Sequence, residues 1–164
     1  MELNVYNRSR QKGYASYRKI FEEIFKKTIT TLGLNDNVSV SVIFVSDKKI
    51  HQINKEYRNI DRPTDVISFA LSDYQGDNDY VAEELGDIFI SVDAAKRQAK
   101  EYEHSEKREI CFLFTHGLLH LNGFDHQTKE EEKEMIKYQK MILDDIVSEN
   151  DKGEWIWNNR NWLN

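Results

Sequence analysis

Apolar residues recur at spacings of three and four over Tyr17, Ile20, Phe21, Ile24, Phe25, Ile29 and Leu32. At 3.6 residues per turn these positions share one face, so the spacing predicts an amphipathic helix that stops near Gly33. The period then changes. Val38, Val40, Val42 and Phe44 alternate with Ser39, Ser41 and Ile43, which predicts a strand. Residues 3–6 are a candidate first strand. Ser46 can cap a short helix that carries Ile50, Ile53 and Tyr57. Residues 59–64 contain the only proline, Pro63, and read as a loop. Residues 66–70 and 85–91 read as further strands. Between them, residues 72–84 are acidic, include Gly76 and are expected to form an exposed connection. A helix is expected over 92–102.

Ser105 opens a segment that is apolar nearly all round: Ile110, Cys111, Phe112, Leu113, Phe114, Leu118, Leu119 and Leu121. A helix without a polar face belongs in a core. Thr128 and Glu131 have the spacing of a capping box, and Met135, Tyr138, Ile142 and Ile146 give the helix behind them one apolar face. Residues 148–164 hold all three tryptophans, Trp155, Trp157 and Trp162, whose role the pattern leaves open between packing on the domain and an interface. No internal repeat or Gly/Ser/Pro-rich linker interrupts the chain. The expectation is one domain over 1–164, of class α+β, with a small mixed β-sheet covered by helices and a buried central helix.

Composition narrows the class. Hydrophobic residues are 39% and aromatic residues 12% of the 164, which fits a folded chain. The longest apolar run, 110–114, is far below the ~20 residues of a membrane span. The first residues lack the basic-then-apolar pattern of a secretory signal, and Cys111 is the single cysteine, so an intrachain disulfide is excluded. A cytoplasmic location is expected. The formal net charge of −6 argues against indiscriminate nucleic-acid binding. Lys96, Arg97, Lys100, Lys107 and Arg108 cluster, but Glu101, Glu103, Glu106 and Glu109 interleave with them, which reads as a solvated mixed-charge surface. His51 and His104 are likewise expected at the surface.

The chemistry sits in HGLLHLNGFDH, residues 116–126. His116 and His120 are four apart and therefore lie one above the other on a helix. Gly123 can end that helix in a left-handed conformation and return His126 to the same point. Three neutral imidazoles suit one zinc ion. A closed structural site needs a fourth protein ligand, and Cys111 lies about 140° round an ideal helix from His116, out of reach. Three ligands with an open fourth position is the hydrolytic pattern. The spacing HxxxHxxGxxH is also that of metzincin peptidases, but there a glutamate follows the first histidine as general base; here Gly117 stands in its place, which disfavours a peptidase mechanism.

Three segments together resemble the bacterial YbeY endoribonucleases, which are rRNA maturation factors. They are HGLLHLNGFDH, the pair INKEYR (53–58) and PTDVISF (63–69), and LGDIFIS (85–91). The resemblance runs from about Val38 to Ile146 and does not extend to the tail. It implies one zinc ion, held by His116, His120 and His126, and cleavage of single-stranded RNA. It further implies action at the 3′ end of small-subunit ribosomal RNA, a part in ribosome quality control, and ribosomal or small-subunit protein partners. Arg58 matches the family's functional arginine; Arg58 and His116 are the residues expected to carry catalysis. A guanidinium suits the task because it holds phosphate through two parallel hydrogen bonds. Asp65, Asp87 and Asp125 fall in the matching motifs, either as partners of the imidazoles or as turn and cap residues. A hydrolase of another substrate, or a non-catalytic assembly factor with structural zinc, are the alternatives.

Overall fold

The alternation in Val38–Val45 puts Val38, Val40, Val42 and Phe44 on one face of a strand, and all four are buried. In the computed structural model, which describes residues 1–71 and 83–147, this strand is the second of a four-stranded sheet. The elements in chain order are β1 (Glu2–Asn7), a 3₁₀ turn (Tyr14–Tyr17), α1 (Arg18–Leu32), β2 (Val38–Val45), α2 (Asp47–Arg58), β3 (Val66–Ala70), β4 (Glu83–Ser91), α3 (Val92–Glu101), α4 (Glu106–Leu121) and α5 (Lys129–Val147). The sheet order is β1-β2-β4-β3. The β1–β2 and β2–β4 pairs are parallel and β3 runs antiparallel to β4 at the edge. This is the expected α+β class with a mixed sheet. Ser46 and Ser105 cap α2 and α4 through their hydroxyls, as Thr128 does for the backbone of Glu131.

The two faces of the sheet are covered unequally, for a reason visible in the residues. The face formed by Val40, Val42, Phe44, Ile88 and Ile90 is apolar along its length and lies under α1 and α4, on which α5 packs in turn. Phe21 of α1 and Phe114 of α4 stack there with ring centroids 4.0 Å apart. Each such side chain contributes roughly 1.5–3 kcal/mol by leaving water. The opposite face is apolar only at Ile43, Val45, Ile67, Phe69 and Phe89, where Ile50 and Ile53 of α2 rest on it. Beyond α2 the same face carries Ser39 and Ser41 and is partly open to solvent.

α4 threads the core. Every residue from Arg108 to Leu119 is buried, and Gln139 of α5 donates from Nε2 to the Phe112 carbonyl at 3.1 Å. The burial reaches one turn further back than the apolar pattern suggests. Arg108 is 1% exposed and Glu109 0%, so the charged stretch before Ile110 is not wholly a solvated surface. His104 is also not a surface residue: its side chain is 1% exposed, and its Nε2 lies 2.7 Å from Glu109 Oε1. Gln98 of α3 donates from the same amide nitrogen to Glu109 Oε2 (2.8 Å) and Asp65 Oδ2 (3.1 Å). A helix enclosed on all sides turns its first polar residues inward as well, and these groups then bond one another. His51 is partly exposed and pairs with Asp61 at 2.8 Å. β4 begins two residues before the expected strand, because Glu83 and Glu84 pair with Val38 and Ser39 of β2. The rest of the expected acidic connection, 72–82, and the tryptophan tail, 148–164, lie outside the described residues. Among the described residues no helix is long and apolar enough to cross a membrane.

Candidate metal centre

His116 and His120 project from the last two turns of α4, and their Nε2 atoms are 3.0 Å apart. Tetrahedral ligands about 2.0 Å from one ion stand about 3.3 Å from each other, so this pair is already at ligand spacing. The turn after α4 supplies the third imidazole. Gly123 takes φ +90°. Its N–H donates to the His120 carbonyl at 3.1 Å, and the Phe124 N–H donates to the Leu119 carbonyl at 3.0 Å. These two bonds close a Schellman motif, and Phe124 then packs on Tyr138 of α5 with ring centroids 5.0 Å apart. Asp125 Oδ1 accepts from the His126 N–H at 2.8 Å and fixes the exit of the turn. One candidate ligand atom from each of the three histidines falls within 4.8 Å of the others. The ring centroids are 4.5, 5.0 and 5.4 Å apart.

The donor set fits a zinc-sized ion. Burial, with His126 behind it, lowers the pKa of His120, which favours the neutral imidazole that binds metal. Cys111 is buried in the core and contributes nothing. Among the described residues the ligand cluster has three members. On its open side lies a cleft of about 280 Å³ lined by Arg58, Ser68, His116, His120, Asp125 and Gln127, with Val66 and Ile67 on its wall. Gly123→Ala is expected to weaken the turn, because a left-handed non-glycine residue costs roughly 1–2 kcal/mol. Its Cβ meets nothing within 4 Å, so the cost is conformational. Metal titration and thermal unfolding should both register the change.

Arg58 is the last residue of α2, and Asn59 behind it takes φ +60° as the cap. Arg58 is half-buried, lines the same cleft as the histidines, and is among the charges that act on His120. It forms no ion pair among the described residues. The structure thus brings together all four residues singled out from the sequence. The aspartates separate. Asp125 lines the cleft, whereas Asp65 accepts from the Val66 N–H (2.7 Å) and Gln98, tying β3 to α3. Asp87 alternates with Ile88 and faces away from α4; burial, then Glu84, raises its pKa. Ser68 and Gln127 also line the cleft, and no single-sequence signal marks either.

Gly117 explains why no glutamate follows the first histidine. A Cβ there would stand 2.8 Å from Ile88 Cγ2 and 3.1 Å from both Ile88 Cδ1 and Ser68 Oγ. The position faces the sheet, not the cleft.

The family profile described as Endoribonuclease YbeY matches residues 4–147. The chain is 56% identical over 117 residues to the endoribonuclease YbeY of Bacillus subtilis (strain 168), covering 68% of this chain and 74% of that one. It is 47% identical over 143 residues to the namesake from Acholeplasma laidlawii, covering 87% of this chain and 95% of the relative. Among solved structures, the solution structure of TM1509 from Thermotoga maritima is similar, with a TM-score of 0.57 at 26% identity, covering 90% of this chain and 93% of that one. The chain belongs to the YbeY endoribonuclease family.

Proposed function

We propose that this protein is a zinc-dependent, single-strand-specific endoribonuclease of ribosomal RNA maturation, acting at the 3′ end of the small-subunit RNA and in ribosome quality control. The observation that carries the reading is the cleft that Arg58 shares with His116 and His120, two members of the three-histidine cluster. A bound zinc ion there would polarise a phosphoryl oxygen and lower the pKa of a coordinated water. His116, His120 and His126 would hold it; His116, 2% exposed, would keep the dry side closed. Arg58, at the end of a capped helix, would orient the scissile phosphate and offset charge that develops on its oxygens. Asp125 and Ser68 also line the cleft; a carboxylate there would repel the phosphate chain, while the Ser68 hydroxyl donates to the Gly117 carbonyl at 3.3 Å. A cleft of about 280 Å³ suits an unpaired strand better than a duplex. Ribosomal or small-subunit proteins are the expected partners, and a cytoplasmic location fits the single cysteine.

The test is cleavage of a labelled ribosomal RNA fragment. Metal-loaded protein is expected to cut an unpaired segment, chelated protein to lose the activity, and readdition of zinc to restore it. Cleavage at full rate after the metal has been stripped, checked by elemental analysis, would sink the metal dependence. A fourth protein ligand at the metal would instead favour a structural ion in a non-catalytic assembly factor.

A further inference from the structure

A second groove lies on the far flank of α2. It measures about 650 Å³, and its walls include Arg8, Arg10, Lys48 and Lys49, with Tyr6 and Phe89 among the lining residues. Among the described residues no carboxylate lines it, although the chain as a whole carries a net charge of −6. The four cations are exposed and, among the described residues, none is ion-paired. Asp47, the residue before Lys48, is held by Arg97 at 2.6 Å and by the Ser91 hydroxyl at 2.7 Å.

Local stability is given up to build this groove. Lys48 and Lys49 occupy the first turn of α2, where cations oppose the helix dipole by roughly 0.3–1 kcal/mol each. Arg10 takes φ +66°, a left-handed conformation costing a non-glycine residue roughly 1–2 kcal/mol. Such breaches of local preference are expected where function selects the residue. Tyr6 is 46% exposed, an aromatic face offered to solvent beside the cations.

The groove is also connected to the cleft. Lys49 and Arg58 lie about 180° apart round α2 at 3.6 residues per turn, so the two sites flank the same helix. A row of half-buried or exposed aromatics runs from one to the other along the sheet beside α2. Phe89 meets Phe69 edge-on at 5.9 Å, and Phe69 meets Tyr57 at 5.8 Å. Tyr57 is 67% exposed and adjoins Arg58. Cations that track a backbone beside aromatics on which bases stack are the physical requirements of a single-strand site.

We propose that this groove is a second RNA-binding surface, which grips the phosphodiester backbone of the same single strand at a distance from the bond presented to the histidines. The inference rests on the nuclease reading for the identity of the strand. It makes the affinity for RNA depend on strand length, and it makes binding in the groove independent of metal.

The test uses the full chain and end-labelled oligoribonucleotides of about 4 and about 12 nucleotides, lengths that bracket one single-strand site. The variant replaces Arg8, Arg10, Lys48 and Lys49 with Ala; all four are exposed, and Lys48→Ala/Lys49→Ala alone serves as the milder second variant. Anisotropy titrations with chelator present should show the longer strand bound about 10–100-fold more weakly by the fourfold variant. The slope of log affinity against log salt should fall by about 2–3, near 0.7 per lost phosphate contact. Cleavage of the short strand by metal-loaded variant should match the wild type. Equal binding of the longer strand by wild type and variant overturns the groove and leaves the nuclease reading standing. Equal losses on both lengths also overturn it, as does a polyglutamate peptide that binds the groove while RNA does not. If the variant loses the longer strand but neither protein cleaves RNA, the groove stands and the nuclease reading falls.

Discussion

Arg58→Ala should keep its fold and its three-histidine metal site while losing RNA cleavage by ~100–1000-fold, the range seen when a preorganised charge-stabilising donor is removed. The expectation follows from where the residue sits. It closes α2 beyond the last buried position of that helix, Asn54, and forms no ion pair among the described residues. Truncation therefore leaves no buried charge without its partner, the usual cause of a large stability loss. Its guanidinium instead faces the cleft that His116 and His120 line. Arg58→Lys should restore only part of the rate, because an ammonium cannot make the planar two-point contact with phosphate. Single-turnover cleavage, zinc content and thermal unfolding of the three proteins together check the assignment. An unfolded Arg58→Ala protein, or one that cleaves normally, would return the residue to a structural role.

Gly117→Glu should fail to fold, or fold with α4 displaced, and should gain no peptidase activity. The substitution writes the metzincin glutamate into the HxxxH spacing, yet the position faces the sheet. Its first side-chain carbon would already stand 2.8 Å from Ile88 Cγ2. Ile88 is itself fully buried on a strand paired on both sides, so it has little room to give. Gly117→Ala isolates the steric part, for which overpacking costs typically about 1–3 kcal/mol. The glutamate adds a carboxylate held away from water between α4 and β4, which is far more costly unless it takes up a proton. Urea unfolding should show a clear midpoint drop for Ala and little or no native transition for Glu. A stable Gly117→Glu protein with an unmoved metal site would contradict the packing described here.

Much of this was legible in the residues because each feature had a local cause. The period of two in Val38–Val45, the period near 3.6 in Arg18–Leu32, and the caps Ser46, Ser105 and Thr128 act within a few residues of themselves. The same holds for the candidate metal site, where three histidines fit in eleven residues and one glycine makes the turn. Sequence-local reasoning failed where burial is decided by distant elements. His104, Arg108 and Glu109 look like surface residues in a charged stretch, but α3 and the approach to β3 fold over them and supply Gln98 and Asp65. Tyr57 shares the apolar face of α2 yet is two-thirds exposed at 67%, because the sheet below it ends in the edge strand β3. The groove of Arg8, Arg10, Lys48 and Lys49 escaped for the same reason: two separated pairs of cations meet only once β1 and β2 are neighbours. Arg58 was legible only through family resemblance, since nothing in its local pattern distinguishes it from a surface cation.

The turn after α4 divides the candidate metal site into parts of unequal burial. His116 belongs to a stretch of helix buried on every side, and it can move only when the core opens. His120 and His126 are joined through Gly123, whose N–H bonds the His120 carbonyl, and both are only half-buried. Fraying of that single turn releases two ligands together and leaves the third in place. Local openings of this kind need far less free energy than global unfolding and occur correspondingly more often. An ion held by these three imidazoles would therefore exchange through the opening of one short turn, without unfolding of the core.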